Sequence, residues 1–264
     1  MNPFLEDIPA IGTCPIIPIP VILASTNHLS LENLFGSGSL GSIFSGVYPD
    51  GTLIVVRVIE SIKEEEFESL VRSIDRLRHQ NIATLMGYGI EKNMKDIRGF
   101  LIYEFLQGGT FAERMSGLNW LEKLRVLTDA AVGLSHAASR EPPVNHNHLS
   151  SRKIMLDQVG TAKVIDLGLY SHVSNDVVSF GEIIRECLSS GSDWPENIFI
   201  ILNELSKHLS TKSFRQITDQ LRNIAIIVPG PVLWEKASSH RDEGTQTEDY
   251  PLLRPNDKQC CSLS

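Results

Sequence analysis

Cysteine is scarce in this chain. The 264 residues include four, Cys14, Cys187, Cys260 and Cys261, at spacings that suit neither a disulfide framework nor a zinc site. A disulfide-stapled scaffold and a zinc module are thereby excluded, and a reducing, cytoplasmic setting is expected. Positive charge is also short, with 24 Lys and Arg against 32 Asp and Glu, so nucleic acid is not an expected partner. Long apolar runs are missing too. The run PIIPIPVIL is broken by Pro15, Pro18 and Pro20 and falls well short of the about 20 apolar residues that span a bilayer. The opening MNPFLEDIPAIG lacks the basic segment of a secretory signal, and there are no internal repeats.

What the chain does have is 42% hydrophobic residues, enough for a buried core. Residues 1–24 read as an extended, Pro-rich lead-in, because proline fixes φ and restricts the residue before it. From Leu34 to Glu60, LFGSGSLGSIFSGVY, a turn at Pro49-Asp50-Gly51 and TLIVVRVIE form a meander of two or three strands. Phe67, Leu70, Val71, Ile74 and Leu77 then recur at helical spacing behind the acidic start KEEEFE, which predicts a helix over roughly 63–78. FLIYEF is a further strand at 100–105. Leu124, Leu127, Ala131 and Leu134 share one face of a helix from Asn119 to about Ala138, with Asn119 and Glu122 as its capping pair. Strands KIML and AKVID follow, then helices over Asp176–Leu188, Ile198–Leu209 and Phe214–Ile224. Strands early and helices late predict a two-lobed α+β fold, and the polar, aperiodic residues from 228 to 264 read as a disordered tail.

Gly36-Ser37-Gly38-Ser39-Leu40-Gly41 is a G-x-G-x-x-G turn, a weak signal alone. Here it leads into a strand that turns back on itself, the setting of the loop that covers ATP phosphates in protein kinases and not that of a dinucleotide fold. LRHQNIATLMGYG, FLIYEFLQGGTF, LNWLEKLRVLTDAAVGLSHA, AKVIDLGL and SNDVVSFGEIIRECL continue the likeness. Over about residues 25–224 the chain resembles the plant receptor-like kinases and their Pelle and interleukin-receptor-associated relatives. The resemblance implies a small β-rich N-lobe with one helix, about 25–105, and a shortened helical C-lobe, about 106–227. It also implies nucleotide-contacting positions at Gly36, Ser37, Gly38, Gly41, Arg57, Glu104, Leu106 and Asp166.

The departures from that family carry the functional reading. Where the family has a phosphate-holding lysine and the helix glutamate that holds it, this chain has Arg57 and Leu70. Where the catalytic loop has its base and an asparagine metal ligand, it has His148 and Lys153, and Lys153 would repel a cation. Asp166 keeps the aspartate that would hold magnesium, but only nine residues separate it from Asp176, leaving no room for the activation segment. Read alone, Arg57 is a solvated cation on a strand and Leu70 an ordinary apolar helix residue. Together the changes imply a pseudokinase with no catalytic residues, no required cofactor and no metal, acting as a scaffold or regulator among receptor kinases. The competing readings are an atypical ATP-binding serine/threonine kinase and a defective gene product with no role. If ATP binds, the interaction is expected to be weak and insensitive to magnesium, with Arg57 and Lys153 supplying charge to phosphates brought near the glycine turn. Cys261-Ser262-Leu263-Ser264 fits a prenylation pattern, with Cys260 beside it for a second lipid, which implies peripheral attachment to a membrane.

Overall fold

The computed structural model of the protein describes residues 11–93, 95–170, 174–191 and 193–227. In its N-terminal half a short helix α1 (Ile19–Ser25) precedes β1 (Leu34–Gly38), β2 (Gly41–Val47), β3 (Leu53–Ile62), α2 (Glu64–Asp75), β4 (Leu85–Lys92) and β5 (Ile97–Glu104). The five strands form one antiparallel sheet in the order β1-β2-β3-β5-β4. Alternation along β3 explains its two faces. Ile54, Val56 and Val58 bury against Phe44, Phe100, Ile102 and Ile22 of α1, which leaves Arg57 directed to the opposite side. On α2, Phe67, Val71 and Ile74 recur at helical spacing and pack on Tyr88, Ile90, Ile97 and Leu101.

Two features of this half depart from the sequence expectation. The lead-in is not extended throughout, because Ile19–Ser25 is helical. Proline is tolerated in a first turn, where its missing N–H has no partner to lose, so Pro20 starts this helix and does not forbid it. Ile11 and Cys14 are buried in the same cluster as α2, so the segment before α1 is part of the fold. The predicted helix over 63–78 stops at Asp75. Arg76 caps it and Leu77 N–H turns back to the Ile74 carbonyl, which keeps Leu77 in the core without continuing the helix.

The second half contains α3 (Phe111–Arg114), α4 (Trp120–Ala138), the hairpin β6 (Ile154–Leu156) and β7 (Ala162–Val164), then α5 (Asp176–Ser189), α6 (Glu196–Lys207) and α7 (Phe214–Ile227). Asn119 accepts from the N–H groups of Leu121 and Glu122, while the Glu122 carboxylate accepts from Asn119 N–H, the reciprocal cap expected for α4. Leu124, Leu127, Ala131 and Leu134 bury with Phe180, Ile183 and Ile184 of α5 and Ile217 and Leu221 of α7. The lobes are stitched where the chain leaves α2: Ala83 N–H donates to Val164 O, Val164 N–H to Asn81 O, and the Asn81 amide to Ala162 O. This seam places the end of β7, and Asp166 just beyond it, beneath Arg57. The segment read as a tail from residue 228 onward, and with it Cys260 and Cys261, lies outside the described residues. Among the described residues no helix is long and apolar enough to cross a membrane.

Candidate functional site

The glycine turn folds as a tight hairpin in which Gly38 pairs with Gly41 and Ser37 with Ser42, their hydroxyls 2.7 Å apart. Gly41 has φ of +93°, and a Cβ there would stand 1.9 Å from the Val58 carbonyl oxygen, so glycine is required by the approach of this loop to β3 whether or not a phosphate is ever bound. The loop tip reaches down far enough for Leu40 O to lie 3.5 Å from an Arg57 nitrogen.

Arg57 is not the solvated cation its strand position suggests. It is 5% exposed, and its Nη2 donates to Asp166 Oδ1 at 2.6 Å. Lys153, 4% exposed, donates its Nζ to Asp166 Oδ2 at 2.7 Å. Burial by itself raises the Asp166 carboxyl, but Arg57 and Lys153 outweigh it and hold the group below the usual carboxylate range. Both carboxylate oxygens therefore face a cation carried by the chain. A magnesium ion does not fit here: it would share Asp166 with an ammonium and a guanidinium, and the second-metal position is itself Lys153. Among the described residues no three His, Cys, Asp or Glu side chains form a cluster able to hold a metal.

The other predicted positions scatter. Leu70 packs on the apolar surface that also meets Tyr103 and Leu169, with no polar role. Glu104 pairs with Ile54, three rungs from Arg57 and so about 10 Å along the strand. Its carboxylate accepts from Thr84 N–H and Lys163 Nζ, which ties β5 to β7. Leu106 is buried beyond it. His148 is exposed and lies flat against Tyr170, ring centroids 4.7 Å apart at 17°.

Two residues that sequence reasoning gave no part in the site shape its floor. Asp176, read as the start of α5 and the far end of the short interval after Asp166, accepts the main-chain N–H of His146 at 2.6 Å and of Asn147 at 2.8 Å, and holds Asn147 at a φ of +61°. Tyr170 covers the loop: its carbonyl accepts from the Asn147 amide and its ring lies against His148, with Lys153 Nζ 5.8 Å from the ring centre. Tyr170, four residues after Asp166, thus lies over the His146–His148 loop. The spacing from Asp166 to Asp176 was the available signal for this closure. It could not name Tyr170.

Three histidines near this framework are set up as neutral acceptors. His146 donates Nε2–H to Ile165 O at 3.0 Å and accepts His148 N–H on Nδ1, since a carbonyl only accepts and an amide N–H only donates. His79 Nδ1 accepts from Asn81 N–H, and His136 Nδ1 from Arg140. The His79 and His136 rings lie 4.6 Å apart. Burial lowers all three; for His79 and His136 the Arg140 charge adds to it, whereas Asp166 and Asp176 partly oppose it at His146. Unfolding returns each to about 6.5, so below that pH the unfolded chain binds more protons and stability falls as acid is added, continuing until pH passes the lowered folded values. A melting series from pH 7.5 to 5 should show this decline, and His79→Asn with His136→Asn should make it shallower. An unchanged slope in the double variant would contradict the assignment.

The family described as protein tyrosine and serine/threonine kinase matches residues 29–194. From Arabidopsis thaliana, calcium/calmodulin-regulated receptor-like kinase 2 is 34% identical over 162 residues, covering 58% of this chain and 36% of that protein. The inactive leucine-rich-repeat receptor-like serine/threonine-protein kinase BIR2 of the same plant is 30% identical over 193 residues, covering 65% of this chain and 31% of its own. The chain thus spans about a third of the length of these two relatives. The solved pseudokinase domain of BIR2, described as an immune regulator of the RLK/Pelle family, superposes with a TM-score of 0.66 at 20% identity, covering 91% of this chain and 90% of that one. With the match extending over more than half its length, and with a β-sheet N-lobe set on a helical C-lobe, this chain belongs to the protein kinase family, among relatives that are plant receptor-like kinases.

Proposed function

We propose that the chain is a catalytically inactive kinase-like scaffold or regulator in receptor-kinase signalling. The observation that carries this reading is the Asp166 carboxylate held between Arg57 and Lys153. Phosphoryl transfer depends on positioning and on charge stabilisation by metal ions that bridge the phosphates. Here the one remaining metal-type aspartate serves a protein ion triad, the base position is His148 stacked on Tyr170, and the lysine position has been turned into a partner for Asp166. The relatives supply the context: BIR2 is itself called inactive and a regulator. The reading carries a cytoplasmic location with it and makes the partners other signalling proteins, receptor kinases first among them.

Purified chain with ATP and magnesium or manganese should transfer no phosphate to itself or to generic substrates. A thermal-shift series with ATP should give a small shift or none, the same with and without magnesium. Transfer that is lost in a folded Asp166→Asn variant, or a large shift that requires magnesium, would favour an atypical ATP-binding serine/threonine kinase instead.

A further inference from the structure

β4 is one of the two edge strands of the N-lobe sheet, and an unpaired strand edge is a template for another chain. Here residues 11–17 occupy it. Tyr88 N–H donates to Pro15 O at 3.1 Å and Tyr88 O accepts Ile17 N–H at 2.7 Å, a parallel bridge between Ile16 and Tyr88. Ile11 N–H donates to the Tyr88 hydroxyl at 3.1 Å. The Ile11 and Cys14 side chains drop into the cluster formed by Phe67, Val71 and Ile74 of α2.

Between them Thr13 is read by Asp75 at the end of α2. Its N–H donates to Asp75 Oδ2 at 2.8 Å, and its hydroxyl lies 3.0 and 3.2 Å from the two oxygens. Burial raises the Asp75 carboxyl, but the bonds from Thr13 and Arg78 outweigh it and keep the group below its ordinary range. The strand is shaped for this occupant. A Cβ at Gly87 would stand 2.5 Å from Ile17 Cγ1 and so bar the segment, while one at Gly89 would stand 2.4 Å from Ile22 Cδ1 and so push on α1 behind it.

We infer that the groove between α2 and the β4 edge is a peptide-docking site, occupied in cis by residues 11–17 and open to an extended peptide of the same chemistry when that strap is displaced. The recognition elements are those of strand addition: main-chain hydrogen bonds to β4, a pocket filled by the apolar side chains of Ile11 and Cys14, and a carboxylate that selects a hydroxyl between them. The inference stands apart from the cleft and holds whether or not phosphate is transferred there. The strap also bonds the end of α2 through Thr13 and Asp75, next to the Arg76 guanidinium that donates to Glu141 O and Pro142 O.

The test uses the full chain. Cys14→Arg puts a charge into a fully buried position and evicts the strap without shortening the protein. A fluorescein-labelled peptide of residues 11–19, IGTCPIIPI, should raise its anisotropy with the Cys14→Arg chain and bind the wild type at least about tenfold more weakly, because the wild-type groove is filled. Adding Asp75→Asn, or changing Thr13→Val in the peptide, should each weaken binding about tenfold, and the two together no more than either alone. Equal binding to wild type and folded Cys14→Arg, or none to either, would overturn the proposal. Should Cys14→Arg not fold, hydrogen exchange of the wild type decides: the Thr13 and Ile17 amides should open together and well before those of β3 and β5. Opening of the strap only with global unfolding would equally overturn it.

Discussion

Replacing Asp166 with alanine should destabilise this protein severely. In a metal-dependent kinase the same change removes a metal ligand. Here it would leave Arg57 and Lys153, 5% and 4% exposed, as buried charges facing each other with no counterion. Breaking a buried ion network from one side costs about 3–5 kcal/mol, since the desolvation of the remaining charges is no longer offset. In a chain of this size that corresponds to a fall in melting temperature on the order of 10 °C. The sign depends on stranding the charges and not on losing the pair as such. Replacing all three, with Asp166→Leu, Arg57→Met and Lys153→Met, should therefore recover most of the loss. Urea denaturation of the single and triple variants checks both statements. An Asp166→Ala chain that melts within a degree or two of wild type would mean that the cations have other partners.

Asp176→Ala should produce the second large effect, at a different place. Both of its oxygens accept main-chain N–H groups, from His146 and Asn147, and among the described residues neither amide has another acceptor. Hydrogen bonds to a charged group contribute about 1.5–3 kcal/mol each, so the pair of them amounts to roughly 3–6 kcal/mol before relaxation. The damage should be local first. Asn147 is held at positive φ, and without its acceptor the loop loses the constraint that sets His148 under Tyr170. Asp176→Asn keeps one carbonyl acceptor and should fall between alanine and wild type. Hydrogen exchange resolved to residues 146–148 should quicken in both variants, more in alanine, while exchange in the N-lobe sheet stays as it was. Uniform acceleration across both lobes would instead mark Asp176 as a general stability residue.

The two variants also separate the parts of the site. Asp166 joins β3 to the C-lobe through Arg57, so its loss should loosen the contact between lobes. Asp176 acts wholly within the C-lobe, joining α5 to the loop before β6. At the first place the aspartate is paired with two protein cations, while at the second it makes a purely structural bond to the main chain.

Much of this was carried by the sequence itself. The spacing of Phe67, Val71 and Ile74 determined a helix with one buried face. The alternation through TLIVVRVIE determined a strand that is apolar on one side, and Asn119 with Glu122 determined where α4 begins, because these are interactions between residues a few positions apart. The changed residues, Arg57, Leu70, His148 and Lys153, were visible as departures from a known pattern, and so was the short interval between Asp166 and Asp176. Only the tertiary structure decided what the changed residues do. Arg57 and Asp166 are 109 positions apart, and nothing local distinguishes an arginine that points to water from one that closes on a carboxylate across the cleft. The helical turn at Pro20, the strap against Tyr88 and the pairing of Thr13 with Asp75 were hidden for the same reason. Proline suggested an extended chain by its own φ, but whether that segment is free or docked depends on the glycines of β4 and the end of α2, which the fold brings to it from more than sixty residues away.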